Sequence, residues 1–170
     1  MYKVNRFPSG SNPLLIQEQP IQFLPTLGGY IGVNEALFLQ KLQEELSCSH
    51  LYVGGERWVR CTLDEWNLEC FWMAKRTLQR VIQHLRSLKL DGQEFHLLKV
   101  ECHEANPFSS IKWYSIDYDE FECLLPMAEK FAVARREELL RKRNLPLDST
   151  HEERLRSVCP NLDDLVSQIS

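Results

Sequence analysis

Residues 62–90 read TLDEWNLECFWMAKRTLQRVIQHLRSLKL, and that stretch alone predicts two helices joined by a tight turn. Thr62 and Glu65 have the spacing of a capping box, in which the threonine hydroxyl accepts from the Glu65 amide and the glutamate reaches back to the Thr62 amide. Cys61 and Trp66 stand where a hydrophobic staple closes over such a start. Cys70, Phe71 and Trp72 then make a bulky apolar turn. Beyond it Leu78, Val81, Ile82, Leu85 and Leu88 recur at the spacing of one buried helix face, so a second helix is expected from Lys75 to Lys89.

The other side of that second helix is basic. Between Phe71 and Leu90 lie Lys75, Arg76, Arg80, Arg86 and Lys89 and no acid, in a chain of 170 residues with net charge -4. With the leucine face inward, Arg76, Gln79, Arg80, Gln83 and Arg86 turn outward, because residues three and four apart share a side. Arginine can bond bidentately to guanine and glutamine to adenine, which makes Arg76, Gln79, Arg80 and Gln83 candidate base readers. Lys75 and Thr77 at the helix start, and Arg86 and Lys89 farther along, are the candidate phosphate holders. The plainer account is a solvated basic face. Against it stands the complete lack of acids, since surface helices usually mix both signs.

The flanking segments complete a pattern. Upstream, Asn34 is expected to cap a helix whose stripe is Phe38, Leu39, Leu42 and Leu46, and a short helix over Thr26–Ile31 is expected to close at Gly32. Leu51–Val53 and Trp58–Cys61, on either side of Gly54-Gly55-Glu56-Arg57, predict a hairpin. Downstream, Phe95–Cys102 and Ile111–Ile116 predict a long hairpin joined by His103–Ser110. Helix, strand, capped helix, turn, amphipathic helix and hairpin is the order of a winged helix-turn-helix: mainly α with a small antiparallel β wing. Lys99 and Lys112 are possible wing contacts, although Glu101 and Glu104 oppose them.

Three segments follow: a flexible arm over 1–13, a winged-helix domain over 14–121 and a helical extension over 122–170. In the extension Pro126 is expected to introduce a helix over Met127–Arg143, with Arg135, Arg136, Arg141, Lys142 and Arg143 diluted by Glu137 and Glu138 into intrahelical pairs. Asn161 would cap a terminal helix with the stripe Leu162, Leu165, Val166 and Ile169, which suits docking or a homodimer.

Composition limits the chemistry. The six cysteines are scattered, without a CxxC pair or a signal peptide, so no disulfide framework or zinc site is indicated and a cytoplasmic, nucleoid-associated protein is expected. No apolar run approaches the roughly 20 residues that cross a bilayer. Cys102-His103-Glu104 lacks a second ligand pair, and no phosphate-binding glycine loop or paired carboxylates stand out. The expectation is no enzyme, no cofactor, no metal and no membrane, with double-stranded DNA as the partner.

The motif set Asn12-Pro-Leu-Leu-Ile-Gln-Glu-Gln-Pro-Ile-Gln-Phe-Leu-Pro25 and Ile31-Gly-Val-Asn-Glu-Ala-Leu-Phe-Leu-Gln40, with Trp58-Val59, Asp64-Glu65-Trp66, Phe71-Trp72, Thr77-Leu78 and Lys112-Trp-Tyr-Ser-Ile-Asp-Tyr118, resembles the N-terminal domain of phage and prophage replisome-organiser proteins. The likeness covers about Asn12–Phe121. It implies a winged helix that binds origin DNA and helps to recruit helicase-loading or other replication proteins, with Lys75–Arg80 in the recognition helix. Met73-Ala74 depart from the pattern, where a capping Ser or Thr is expected. Replication initiation in a prophage or plasmid is the leading expectation; a transcriptional regulator, or a protein-interaction module that does not bind DNA, is the alternative.

Overall fold

The computed structural model describes residues 21–104, 106, 109–143 and 150. The expected arm over 1–13 and the terminal helix from Asn161 lie outside the described residues. The chain divides into two units, one ending at Asp117 and the other beginning at Tyr118.

In the first unit, α1 (Pro25–Ile31) and α2 (Val33–Cys48) are separated by Gly32, whose φ of +117° is closed to most L residues and breaks the helix. α2 therefore starts at Val33, and Asn34 is its second residue and not its cap. The stripe is as expected: Phe38, Leu39, Leu42 and Leu46 are buried. A two-residue turn at Gly54-Gly55 joins β1 (Leu51–Val53) to β2 (Glu56–Thr62) in the register Val53↔Glu56. This is shorter than the four-residue connection expected, because Glu56 and Arg57 already pair with Val53 and Tyr52.

α3 (Leu63–Glu69) opens on the capping box: Thr62 Oγ1 accepts from the Glu65 amide at 3.2 Å, and Glu65 Oε2 accepts from the Thr62 amide at 2.6 Å. α4 (Lys75–Arg86) follows a tight turn and buries Leu78, Val81, Ile82 and Leu85. It ends three residues before the expected boundary. Leu88 is fully buried, as its helical spacing demanded, but it is the first residue of a strand, β3 (Leu88–Leu90). β3 pairs with β4 (Gln93–Phe95) across Asp91-Gly92, with φ of +50° and +81°. Both central residues of that hairpin turn need positive φ, and Asp-Gly supplies it. The downstream hairpin is shortened accordingly: β5 (Leu98–Glu101) pairs with β6 (Ile111–Ile116).

The main sheet has the order β1-β2-β6-β5, all antiparallel. The fold is α+β, with a small antiparallel sheet, and its element order is compatible with a winged helix. Trp66 packs edge-on between Phe38 of α2 and Tyr114 of β6, at 5.2 and 5.6 Å between ring centroids. That contact ties α2, α3 and the sheet into one core, which fixes where α4 stands. Each fully buried leucine of this core adds about 2 kcal/mol.

In the second unit, α5 (Tyr118–Arg141) is continuous through Pro126, where the sequence pattern predicts a helix start. An interior proline has no N–H, so the Glu122 carbonyl loses its helical donor. The local cost is borne by a helix of 24 residues. Glu138 accepts from Arg135 at 2.7 Å and from Lys142 at 2.6 Å, the intrahelical pairing expected of this basic cluster.

Candidate nucleic-acid interface

α4 has its leucine face in the core, and every outward residue follows from that. Arg76, Gln79, Arg80, Gln83 and Arg86 are exposed, and all five line a groove of 880 Å³ whose opposite wall includes Val100, Lys112 and Tyr114 of β5 and β6. Arg80 and Gln83 also border a second hollow with Glu35, His84 and Ser87. Among the described residues, none of Arg76, Arg80, Arg86 and Lys112 has a carboxylate within ion-pair distance. Glu101 is the one acid of the groove lining, and its Oε2 lies 2.8 Å from His103 Nε2. Tyr114, part of the groove wall, is buried, and that burial pushes its phenol up to about 12.

The expected phosphate holders divide by their surroundings. Arg86 is in the groove. Lys75 is ion-paired with Asp64 in the first turn of α3. Thr77 is half-buried, and no side chain caps the first turn of α4, whose N-cap is Ala74. Lys89 is on β3, directly across from Glu94, and not on the helix. Glu94 accepts from the Ser87 hydroxyl, and that bond with the nearby Lys89 charge holds its carboxyl below the usual range.

The two lysines expected as wing contacts part company. Opposed residues of an antiparallel pair share a face and neighbours along a strand alternate. Lys99 opposes Ser115 whereas Val100 opposes Tyr114, so Lys99 and the groove residue Tyr114 stand on opposite faces of the sheet. Lys99 Nζ is 2.7 Å from Glu56 and 3.2 Å from Asp117. Lys112 shares the face of Tyr114 and lines the groove. Glu104, which the sequence sets against a wing contact, accepts from Arg60 at 2.6 Å, and that bond keeps its carboxyl below the usual range.

Sequence reasoning missed Tyr114, Ser110 and Cys102 in the groove wall and the contact of His84 Nδ1 with Glu35 of α2 at 2.9 Å. The period-2 pattern of Lys112 and Tyr114 was the available signal for the first; the second joins residues with no local relation.

Burial pushes the Cys61 thiol up to about 12 and the Cys70 thiol to about 11, so neither is a nucleophilic thiolate at neutral pH. Among the described residues no group of three His, Cys, Asp or Glu side chains could hold a metal ion, and no helix is long and apolar enough to cross a membrane. No protein-family model, no curated protein and no solved structure matches the chain.

Proposed function

We propose that this chain is a winged helix-turn-helix protein that binds double-stranded DNA by laying α4 in the major groove, and that it acts by binding and not by chemistry. The observation that carries the reading is the groove between α4 and the β5–β6 hairpin: Arg76, Arg80, Arg86 and Lys112 line it without acidic partners among the described residues, and Gln79 and Gln83 stand between the arginines. Free cations attract phosphate, and arginine and glutamine side chains match base edges.

Arg76, Gln79, Arg80 and Gln83 read bases in this scheme, while Arg86 and Lys112 hold phosphates. Lys75 joins them once Asp64 lets go. Lys89 is a peripheral contact. The resemblance to replisome-organiser domains supports replication initiation in a prophage or plasmid as the setting, with helicase-loading proteins as partners and the nucleoid as the location. A transcriptional regulator would use the same face, and a homodimer would read two half-sites.

Fluorescence anisotropy with random duplex DNA tests the reading. Two phosphate contacts, from Arg86 and Lys112, give a slope of log K on log salt of about -1.8 or steeper. Absence of binding at low salt would refute it and leave the protein-interaction module. Selection from genomic DNA then separates replication origins from promoters.

A further inference from the structure

The turn between α3 and α4 is built around two buried anchors. Cys70 is fully buried and Met73 nearly so. The Cys70 amide donates to the Trp66 carbonyl at 2.8 Å, the Met73 amide donates to the Cys70 carbonyl at 2.9 Å, and the Asn67 side-chain amide donates to the Met73 carbonyl at 3.0 Å. The two residues held between these anchors face outward. Phe71 is 78% exposed and Trp72 36%, with their rings edge to face at 5.6 Å, and Leu68, three residues before Phe71, is 76% exposed.

A cysteine and a methionine inside, with a phenylalanine and a tryptophan outside, reverses the expected gain from burial, since the aromatic rings carry the larger apolar area. An exposed pair of rings on an anchored turn suits a ligand with flat apolar faces. The charges beside it say which kind. Arg76 follows Trp72 by four residues, at most about 14 Å of chain, and has no acidic partner among the described residues. The acids that precede it most closely in the sequence are engaged: Glu69 lies 3.2 Å from Lys41, Glu65 accepts from the Thr62 amide, and Asp64 pairs with Lys75. Flat faces joined to negative charges describe a nucleic-acid strand with its bases unpaired, which aromatic rings stack and cations track.

We propose that Phe71 and Trp72 form a stacking platform for unpaired bases beside the duplex-reading helix, so that the preferred ligand is duplex DNA adjoining a melted stretch. The inference rests on the reading of α4 as a duplex binder.

The test measures binding of the full chain to a blunt duplex and to the same duplex with a short central bubble. Wild type is expected to favour the bubble by about tenfold, on the scale of one stacked base. Phe71→Ala with Trp72→Ala is expected to bring the bubble down to the blunt affinity and leave blunt binding unchanged, while Trp72→Phe, which keeps a ring, retains the preference. Equal wild-type affinity for the two DNAs, or an equal loss on both in the alanine variant, overturns the platform. If blunt binding is normal in that case, the duplex reading survives without it. If bubble binding persists and needs Phe71 and Trp72 while blunt DNA does not bind, the platform stands and the duplex reading falls. Binding to neither DNA removes both. Self-association that Phe71→Ala abolishes, with no bubble preference, overturns the platform in favour of a contact between copies.

Discussion

Reversing charge at two positions of α4 tests the proposed interface most directly. Arg76, Arg80, Arg86 and Lys112 share the groove lining with a single acid, Glu101, an excess of three positive charges among the lining residues. Arg76→Glu with Arg80→Glu removes four units of charge and leaves the groove net negative. Each arginine lost from a base edge costs about 1 to 3 kcal/mol of discrimination, so the pair costs at least about 2 kcal/mol, roughly thirtyfold in Kd, before any repulsion between carboxylate and phosphate. The fold is expected to survive. Both positions are exposed and the buried face of α4 is untouched, which keeps the change in stability within about 0.5 kcal/mol. A glutamate in the first turn also suits the positive end of the helix dipole. Anisotropy at about 50 and 200 mM salt reads the affinity, and a thermal melt reads the fold. A variant that melts like wild type and binds duplex DNA within about threefold of it, with the same salt slope, refutes the assignment of α4.

The sheet register makes a paired prediction: Lys112→Ala should flatten the slope of log K on log salt by about 0.9, the value for one phosphate, while Lys99→Ala leaves that slope unchanged because its charge is spent on Glu56 and Asp117. Thr62→Ala should destabilise the first unit by about 1 kcal/mol in denaturant titration, through loss of the cap. The Thr62 amide, and then its hydroxyl, hold the Glu65 carboxyl below the usual range. A carboxyl depressed by folding stabilises above its unfolded pKa of about 4.3, and that contribution is lost as pH falls through the folded value. The gap between wild type and Thr62→Ala should therefore narrow below about pH 4 without closing, since the hydroxyl still accepts from the Glu65 amide. A constant gap would show that the carboxylate plays no part. Gly92→Val should cost upwards of about 1 kcal/mol, because φ at Gly92 is +81°; an unchanged denaturation midpoint would mean that the β3–β4 turn does not hold this geometry.

What the sequence told depended on how local the cause was. The capping box at Thr62 needs only neighbours within one turn of helix, and it formed as read. The inward face of α4 follows from periodicity and also formed as read. Leu88 shows where periodicity fails: it is three residues beyond Leu85 and buried, which suits a helix, but Asp91-Gly92 turns the chain so that Leu88 pairs with Phe95. An Asp-Gly pair between two short apolar runs is a hairpin signal, and giving it more weight than the helical spacing would have ended α4 correctly. Pro126 is the reverse case, since an interior proline only costs energy and does not forbid a long helix.

The cation count is the part of the site that no local pattern could settle. Five positive charges without an acid make the stretch from Phe71 to Leu90 look uniformly available, yet the acids that decide this come from elsewhere in the chain. Asp64 takes Lys75, and Glu94 stands across from Lys89. On the hairpin Glu56 and Asp117 take Lys99. Of these candidate contacts, Arg76, Arg80, Arg86 and Lys112 have no ion pair and no acid across a strand pair among the described residues, and they gather on one groove. In the proposed scheme these meet the incoming nucleic acid with no pair to break among the described residues, whereas Lys75 must first exchange Asp64 for a phosphate. An exposed pair is worth about 1 kcal/mol or less, so this exchange is cheap, and in this reading the groove cations set the first encounter while Lys75 adds its contact after α4 is seated.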